Sequence, residues 1–425
     1  MTAKKLLVAL PLTAVLMTAA VPAVAAPGDS TAFTPWRSAW ATAPQAPTHT
    51  DWYANWSEEG FDNQSVRQVI RVGAEGSRLR IRLSNVYGTA PLRVTGATIA
   101  RSAGGAAARA ESVRTVRFGG AQGVSVPAGG ELSSDAVALP VRALEQLTVT
   151  LYFRGRTGPA TFHNFADTLT YRASGDHLDD AAGEAFAGEP SLSWYYLAGV
   201  DVKPLESPGG GRGRDAVVAF GDSLTDGVGS TFGADRRYPD VLADRLVAEG
   251  RTRPVLNLGI GGNKVLNDSP CFGESALARF RRDVLGRRDV RTVIVLQGTN
   301  DIVLPDSPQD RCTTPSPFVT SAQIVAGHQE LIREAHARGV KVIGATLPPY
   351  QGFAYWTERG DRVRSEVNQW IRTSGAYDGV VDFDRAVADP EHPERIAAQY
   401  VSADLIHMKD AGYKAMADAV DLNSL

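Results

Sequence analysis

The chain has 425 residues, 43% of them hydrophobic and 21% charged, which is the make-up of a globular protein and excludes a disordered, collagen-like or coiled-coil chain. At roughly 100 to 200 residues per domain, this length predicts two or three domains. A net charge of −3 supplies no attraction to phosphate backbones or anionic membrane surfaces, so no nucleic-acid partner is expected.

At the start, Lys4 and Lys5 precede an apolar run from Leu6 to Val21, and Ala23-Val24-Ala25 places small residues where a signal peptidase reads them. Residues 1–25 are expected to be a removable secretory signal, which makes the protein extracellular. Pro11, Thr13 and Thr18 interrupt the run, and no later apolar stretch approaches the roughly 18 residues of a span, so no integral membrane segment is expected after removal.

Residues 26–205 carry the punctuation of an all-β, sandwich-like domain. Leu79, Ile81 and Leu83 alternate with Arg78, Arg80 and Arg82, and Leu147, Val149, Leu151 and Phe153 alternate with Thr148, Thr150 and Tyr152. Stretches 66–72, 92–100 and 194–202 read as strands in the same way, and 104–110 reads as a loop. Trp36, Trp40, Trp52 and Trp56 cluster before the first clear strand, and packing against one another is the commoner fate of such aromatics than stacking on sugar rings.

Ser207-Pro208-Gly209-Gly210-Gly211-Arg212-Gly213-Arg214 has no apolar side chain to bury, and residues 206–214 are assigned as a linker. From 215 to 425 the pattern changes. Apolar runs at 216–220, 255–259, 292–297, 340–347 and 379–383 read as strands, separated by helix-period segments such as Ile324, His328, Leu331, Ile332 and Ala335, or Val363, Val367, Trp370 and Ile371. Strand and helix in alternation mean a parallel sheet covered on both faces, with its ligand site beyond the carboxyl ends of the strands.

The residues just beyond those strand ends bear chemistry. Gly221-Asp222-Ser223-Leu224-Thr225 puts Ser223 at a strand-to-helix corner, as a nucleophile is presented. Asn257-Leu258-Gly259-Ile260-Gly261-Gly262-Asn263 offers a bare backbone N–H, and Gly298-Thr299-Asn300-Asp301 offers a neutral amide donor. Asp404 lies three residues before His407, a spacing that on a helical turn lets the carboxylate reach one imidazole nitrogen and leaves the other for Ser223. Each piece alone is commonplace; in this order, at the ends of successive strands, they supply a nucleophile, a base, an orienting acid and oxyanion donors.

These residues resemble the SGNH hydrolases, also called GDSL lipases and esterases. Gly221-Asp222-Ser223-Leu224 is similar to the first family block, Gly262 to the glycine of the second, Gly298-Thr299-Asn300-Asp301 to the third and Asp404-Leu405-Ile406-His407 to the fifth. The resemblance covers 215 to about 420. It implies a flavodoxin-like three-layer α/β/α fold in which Ser223 is the nucleophile, His407 the base and Asp404 its orienter. The oxyanion hole would comprise the Ser223 and Gly262 N–H groups and the Asn300 side chain; Gly261 competes with Gly262 for that role, and the polar Asn263 that follows favours Gly262. Trp40-Ala41-Thr42-Ala43-Pro44 and Leu83-Ser84-Asn85-Val86-Tyr87-Gly88 resemble the β-domain that precedes the catalytic domain in secreted actinobacterial members.

Other plans fit worse. The G-x-S-x-G elbow fails at Thr225, H-E-x-x-H is missing, and Gly261-Gly262-Asn263-Lys264 lacks phosphate-loop spacing. The expected activity is carboxylic ester hydrolysis on a lipid, aryl or acetylated-carbohydrate ester. An O-deacetylase or acyltransferase with the same residues, and a silent polymer-binding scaffold, remain as alternatives. No cofactor or metal is expected, and the protein is expected to be a monomer. Cys271 and Cys312, the only two cysteines, are expected to pair in an oxidising compartment. The remaining histidines, His49, His163, His177, His328, His336 and His392, are read as core or surface residues, with the domain interface as an alternative place for His163 and His177. Tyr350, Phe353, Tyr355 and Trp356 follow the fourth strand of the parallel sheet as an aromatic rim or a structural cluster.

Overall fold

Period-two patterning builds two antiparallel sheets in the N-terminal region. One orders Arg37–Ala41, Leu197–Lys203, Arg78–Ser84 and Glu131–Ser133; the other runs from Thr170–Ser174 through Gln64–Arg71, Gln146–Phe153 and Gly96–Gly104 to Ala107–Ala108. Leu79, Ile81 and Leu83 of the first sheet join Val66, Ile99, Val149 and Leu151 of the second in one apolar core, so the sheets form a sandwich. The computed structural model describes residues 36–50, 54–204, 215–251 and 253–425, and the described residues belong to one compact unit. The expected leader at 1–25, the linker at 206–214 and Trp52 lie outside the described residues.

Three sequence expectations need correction here. The run at 92–100 is two strands, Leu92–Val94 pairing with Val124–Val126 and Gly96–Gly104 pairing in the large sheet. The run at 194–202 breaks at Tyr196, whose φ of +58° turns the chain from Trp194–Tyr195 into Leu197–Lys203. The expected loop at 104–110 contains the two-residue strand Ala107–Ala108, which folds back on its neighbour as a hairpin. Trp40 and Trp56 are buried, Trp40 edge-on to Trp194 and Trp56 stacked on Tyr195, so both serve packing.

In the C-terminal domain, five parallel strands, Ala216–Gly221, Val255–Gly259, Val290–Leu296, Lys341–Ala345 and Gly379–Val381, are arranged in the order second, first, third, fourth, fifth. This is the flavodoxin-like order, and its reversal beside the first strand is the switch point where such sheets bind ligands. The strands are apolar almost throughout because helices cover both faces: Tyr238–Ala248 packs with Asp410–Asp418 on one side, and Ser321–His336 with Glu358–Thr373 on the other. A second core of strand and helix residues fills this domain, and Ala41 and Ala43 of the N-terminal region reach into it.

Cys271 and Cys312 form a disulfide. It ties the segment after the second strand to the one after the third, and closes a loop with a sequence separation of 41. In the chain-entropy account such a loop is worth roughly 4 kcal/mol, so the Cys271→Ala/Cys312→Ala double variant should unfold at clearly lower urea, with a larger m-value because the unfolded chain is no longer cross-linked. An unchanged midpoint would contradict this.

Candidate active site

Gly221 ends the first strand, and Asp222 caps the short helix Ser223–Asp226 by accepting from Leu224 N at 3.0 Å. Ser223 therefore stands on the corner, partly exposed. Burial pushes the Asp222 carboxyl up to about 7, against the hydrogen bond from Leu224, and one of its oxygens has no partner.

His407 Nε2 lies 2.9 Å from Ser223 Oγ, and its Nδ1 lies 2.6 Å from Asp404 Oδ2. The two carriers are not on a helix, contrary to the sequence expectation. Leu405 takes a φ of +66°, and the chain makes a tight turn in which Asp404 Oδ1 accepts from Ser402 Oγ at 2.7 Å, His407 N at 3.0 Å and Ile406 N at 3.2 Å. The outcome is the expected juxtaposition by a different backbone. Burial opposes ionisation of Asp404, but the hydrogen bond and charge of His407 and the turn donors outweigh it and hold the carboxyl well below the usual range.

After the second strand, Asn263 N closes a turn on Ile260 O at 3.1 Å, with Gly262 inside it at a φ of +75°. A Cβ at Gly262 would sit 2.3 Å from the Phe272 ring, so both conformation and space require glycine. Gly261 N–H is spent on Asp226 Oδ2 at 2.8 Å, whereas Gly262 N–H has no protein partner among the described residues. After the third strand, Asn300 is buried on the helix Thr299–Val303 and donates from Nδ2 to Asn263 O at 3.1 Å, which anchors the amide beside the same turn.

Residues 219–415 match the GDSL-like Lipase/Acylhydrolase family. The C-terminal domain belongs to it. An uncharacterized lipoprotein of Bacillus subtilis (strain 168), YqeF, is 32% identical over 142 residues, 33% of this chain and 51% of the relative, so the chain spans about half the length of the curated relative it matches. Among solved structures, a lipolytic protein of the G-D-S-L family from Desulfitobacterium hafniense DCB-2 is 20% identical, with 48% of this chain and 97% of that chain covered at a TM-score of 0.37. A GDSL-like lipase from Bacteroides thetaiotaomicron VPI-5482 is 20% identical, with 51% and 89% covered at 0.36.

The GDSL-like domain also contains supports that spacing did not reveal. Arg279 is fully buried over the Phe220 ring, and its guanidinium donates to Gly221 O at 2.9 Å, Leu258 O at 2.8 Å and Asn263 Oδ1 at 3.0 Å. It thus clasps the ends of the first two strands and the glycine turn. Asp301 accepts from Val265 N at 2.7 Å and Leu266 N at 3.1 Å, holding the far end of that turn; burial pushes its carboxyl up to about 6. The only sequence signal for Arg279 is a charge among the apolar Ala276 and Phe280, which ordinarily marks a solvated helix face.

The GDSL-like domain's aromatic segment divides. Tyr350 is buried, while Phe353, Tyr355 and Trp356 are half-buried. A Cβ on neighbouring Gly352 would lie 3.1 Å from Leu405, which places this segment beside the Asp404–His407 turn. His328 is a core residue, bonded to Gln297 O and Tyr377, and burial pulls it down to about 4. His177 bonds Ser174 O within the β region, whereas His163 reaches the GDSL-like domain. Among the described residues, no group of three or more His, Cys, Asp or Glu side chains is placed to hold a metal ion, and no helix is long and apolar enough to cross a membrane.

Proposed function

We propose that the protein is a secreted serine esterase that hydrolyses carboxylic esters through an acyl-enzyme on Ser223. The observation that carries this is the chain of contacts from Ser223 Oγ through the His407 ring to Asp404. His407 Nε2 takes the Ser223 proton as Oγ attacks the ester carbonyl carbon; the oxyanion is received by the Ser223 and Gly262 N–H groups and Asn300 Nδ2. His407 then gives its proton to the leaving alcohol. In the second half-reaction it draws a proton from water, whose oxygen attacks the acyl carbon, and collapse of that intermediate frees the acid and returns the proton to Ser223. Asp404 stays ionised, fixing the tautomer and stabilising the imidazolium.

The same proposal divides the chain into a signal at 1–25, a β-domain at 26–205, a linker at 206–214 and the hydrolase domain at 215–425. Two apolar cores support that division, one of β-region residues and one drawn, apart from Ala41 and Ala43, from residues after the linker.

A labelled fluorophosphonate, with the adduct mapped by peptide mass, should mark Ser223. Turnover of p-nitrophenyl esters from acetate to palmitate then distinguishes an acetyl esterase from a lipase by its chain-length optimum. A wild-type protein that neither labels nor turns over any ester would favour the polymer-binding scaffold. Asn300→Ala should lower kcat on the best ester by about 10² to 10³ with little change in KM, as deletion of an oxyanion donor does. A variant as fast as wild type would remove Asn300 from the hole.

A further inference from the structure

A buried side chain of the β region reaches the helix that begins at Ser223. His163, paired in its short strand with Trp194 and stacked on that ring, is enclosed by oxygen atoms: Nδ1 lies 2.9 Å from Ala43 O, and Nε2 lies 2.9 Å from Phe165 O and 3.1 Å from Asp226 Oδ1. Phe165 O and Asp226 Oδ1 are both acceptors, so it is the Nε2–H that the ring presents to them. Asp226 is as buried as His163 and ends the helix that starts at Ser223. Its second oxygen takes the Gly261 N–H at 2.8 Å. Its backbone is wedged against the second strand, where a Cβ on Gly259 would lie 2.3 Å from Asp226 N.

We infer that His163 is a positioning residue, by which the β region sets the orientation of the Gly262 N–H through the Asp226 carboxylate. With the ring in place, Asp226 has one direction in which to hold Gly261, and the peptide that follows carries the proposed oxyanion donor. Without it, Oδ1 is a buried acceptor lacking its donor, and the carboxylate rotates or admits water. The turn at 260–263 has glycines at its centre, so no side chain of its own opposes a change of the Gly261 and Gly262 dihedrals, and one backbone hydrogen bond, Asn263 N to Ile260 O, closes it. The inference rests on the esterase reading above.

The full chain carrying His163→Asn is compared with His163→Gln. Asparagine places its amide where Nδ1 was and does not reach Asp226; glutamine, one methylene longer, does. His163→Asn should lower kcat on p-nitrophenyl acetate about tenfold with KM unchanged, short of outright donor deletion. It should also speed amide hydrogen exchange in peptides covering 258–266. His163→Gln should restore most of both. Unchanged exchange and kcat in His163→Asn would overturn the inference, as would equal losses in both variants, which would mark a general loss of stability. If the wild type shows no Ser223-dependent hydrolysis, the esterase reading fails, and exchange alone decides: faster exchange confined to His163→Asn upholds the positioning, and unchanged exchange overturns it.

Discussion

Ser223→Ala should lower kcat/KM on p-nitrophenyl acetate by about 10⁶-fold, equivalent to about 8 kcal/mol of transition-state stabilisation. Without Oγ, water must attack the bound ester directly, and the covalent route is closed. The donors remain, because Gly262 and Asn300 are held by Arg279, Asp226 and the Asn263 carbonyl rather than by Ser223. A residual rate above that of free water is therefore expected. The fold should be unaffected, since the corner is capped by the Asp222 carboxylate and, among the described residues, the lost hydroxyl is bonded to His407 alone. The checks are steady-state kinetics on freshly purified variant and a melting curve superimposed on that of wild type. A variant that retains wild-type turnover would mean the nucleophile lies elsewhere.

The proposed nucleophile and oxyanion donors were legible in the sequence because Ser223, Gly262 and Asn300 each follow a strand end, which apolar runs mark best, whereas Asp404 and His407 lie well past the fifth strand and were legible only by their spacing. Strands such as Ala216–Gly221 are buried on both sides and read as unbroken apolar runs. The groups that hold the reacting ones were not legible. Arg279 acts on Gly221, which is 58 residues away, and His163 acts on Asp226 at a separation of 63, so no local period encodes either contact. The turn at Asp404 reads as helical in the sequence because a spacing of three is shared by helices and by tight turns, and only the left-handed Leu405 distinguishes them. In the β region, strands of three residues such as Val124–Val126 and Glu131–Ser133 are too short to display alternation, and their pairing is decided by tertiary partners.

Asp404→Asn should lower kcat/KM by about 10⁴ while leaving the turn in place. Three donors, Ser402 Oγ, Ile406 N and His407 N, converge on Asp404 Oδ1, so the amide oxygen must occupy that position. The NH₂ group is thereby turned towards His407 Nδ1. The imidazole can meet a donor there only by accepting at Nδ1, which moves its proton to Nε2, and a protonated Nε2 cannot take the proton of Ser223. Asp404→Ala differs in losing the turn acceptor as well, so it should be inactive and also less stable. The acid dependence of stability separates charge from shape. The folded carboxyl lies below its unfolded value of about 3.9, so the stability it contributes is fully present above that value and is lost as pH falls through the folded one. Wild type should therefore keep a constant margin in Tm over Asp404→Asn above about pH 5, and that margin should shrink below about pH 4. A margin independent of pH would show that the carboxylate charge is not what the His407 ring and the turn donors are stabilising.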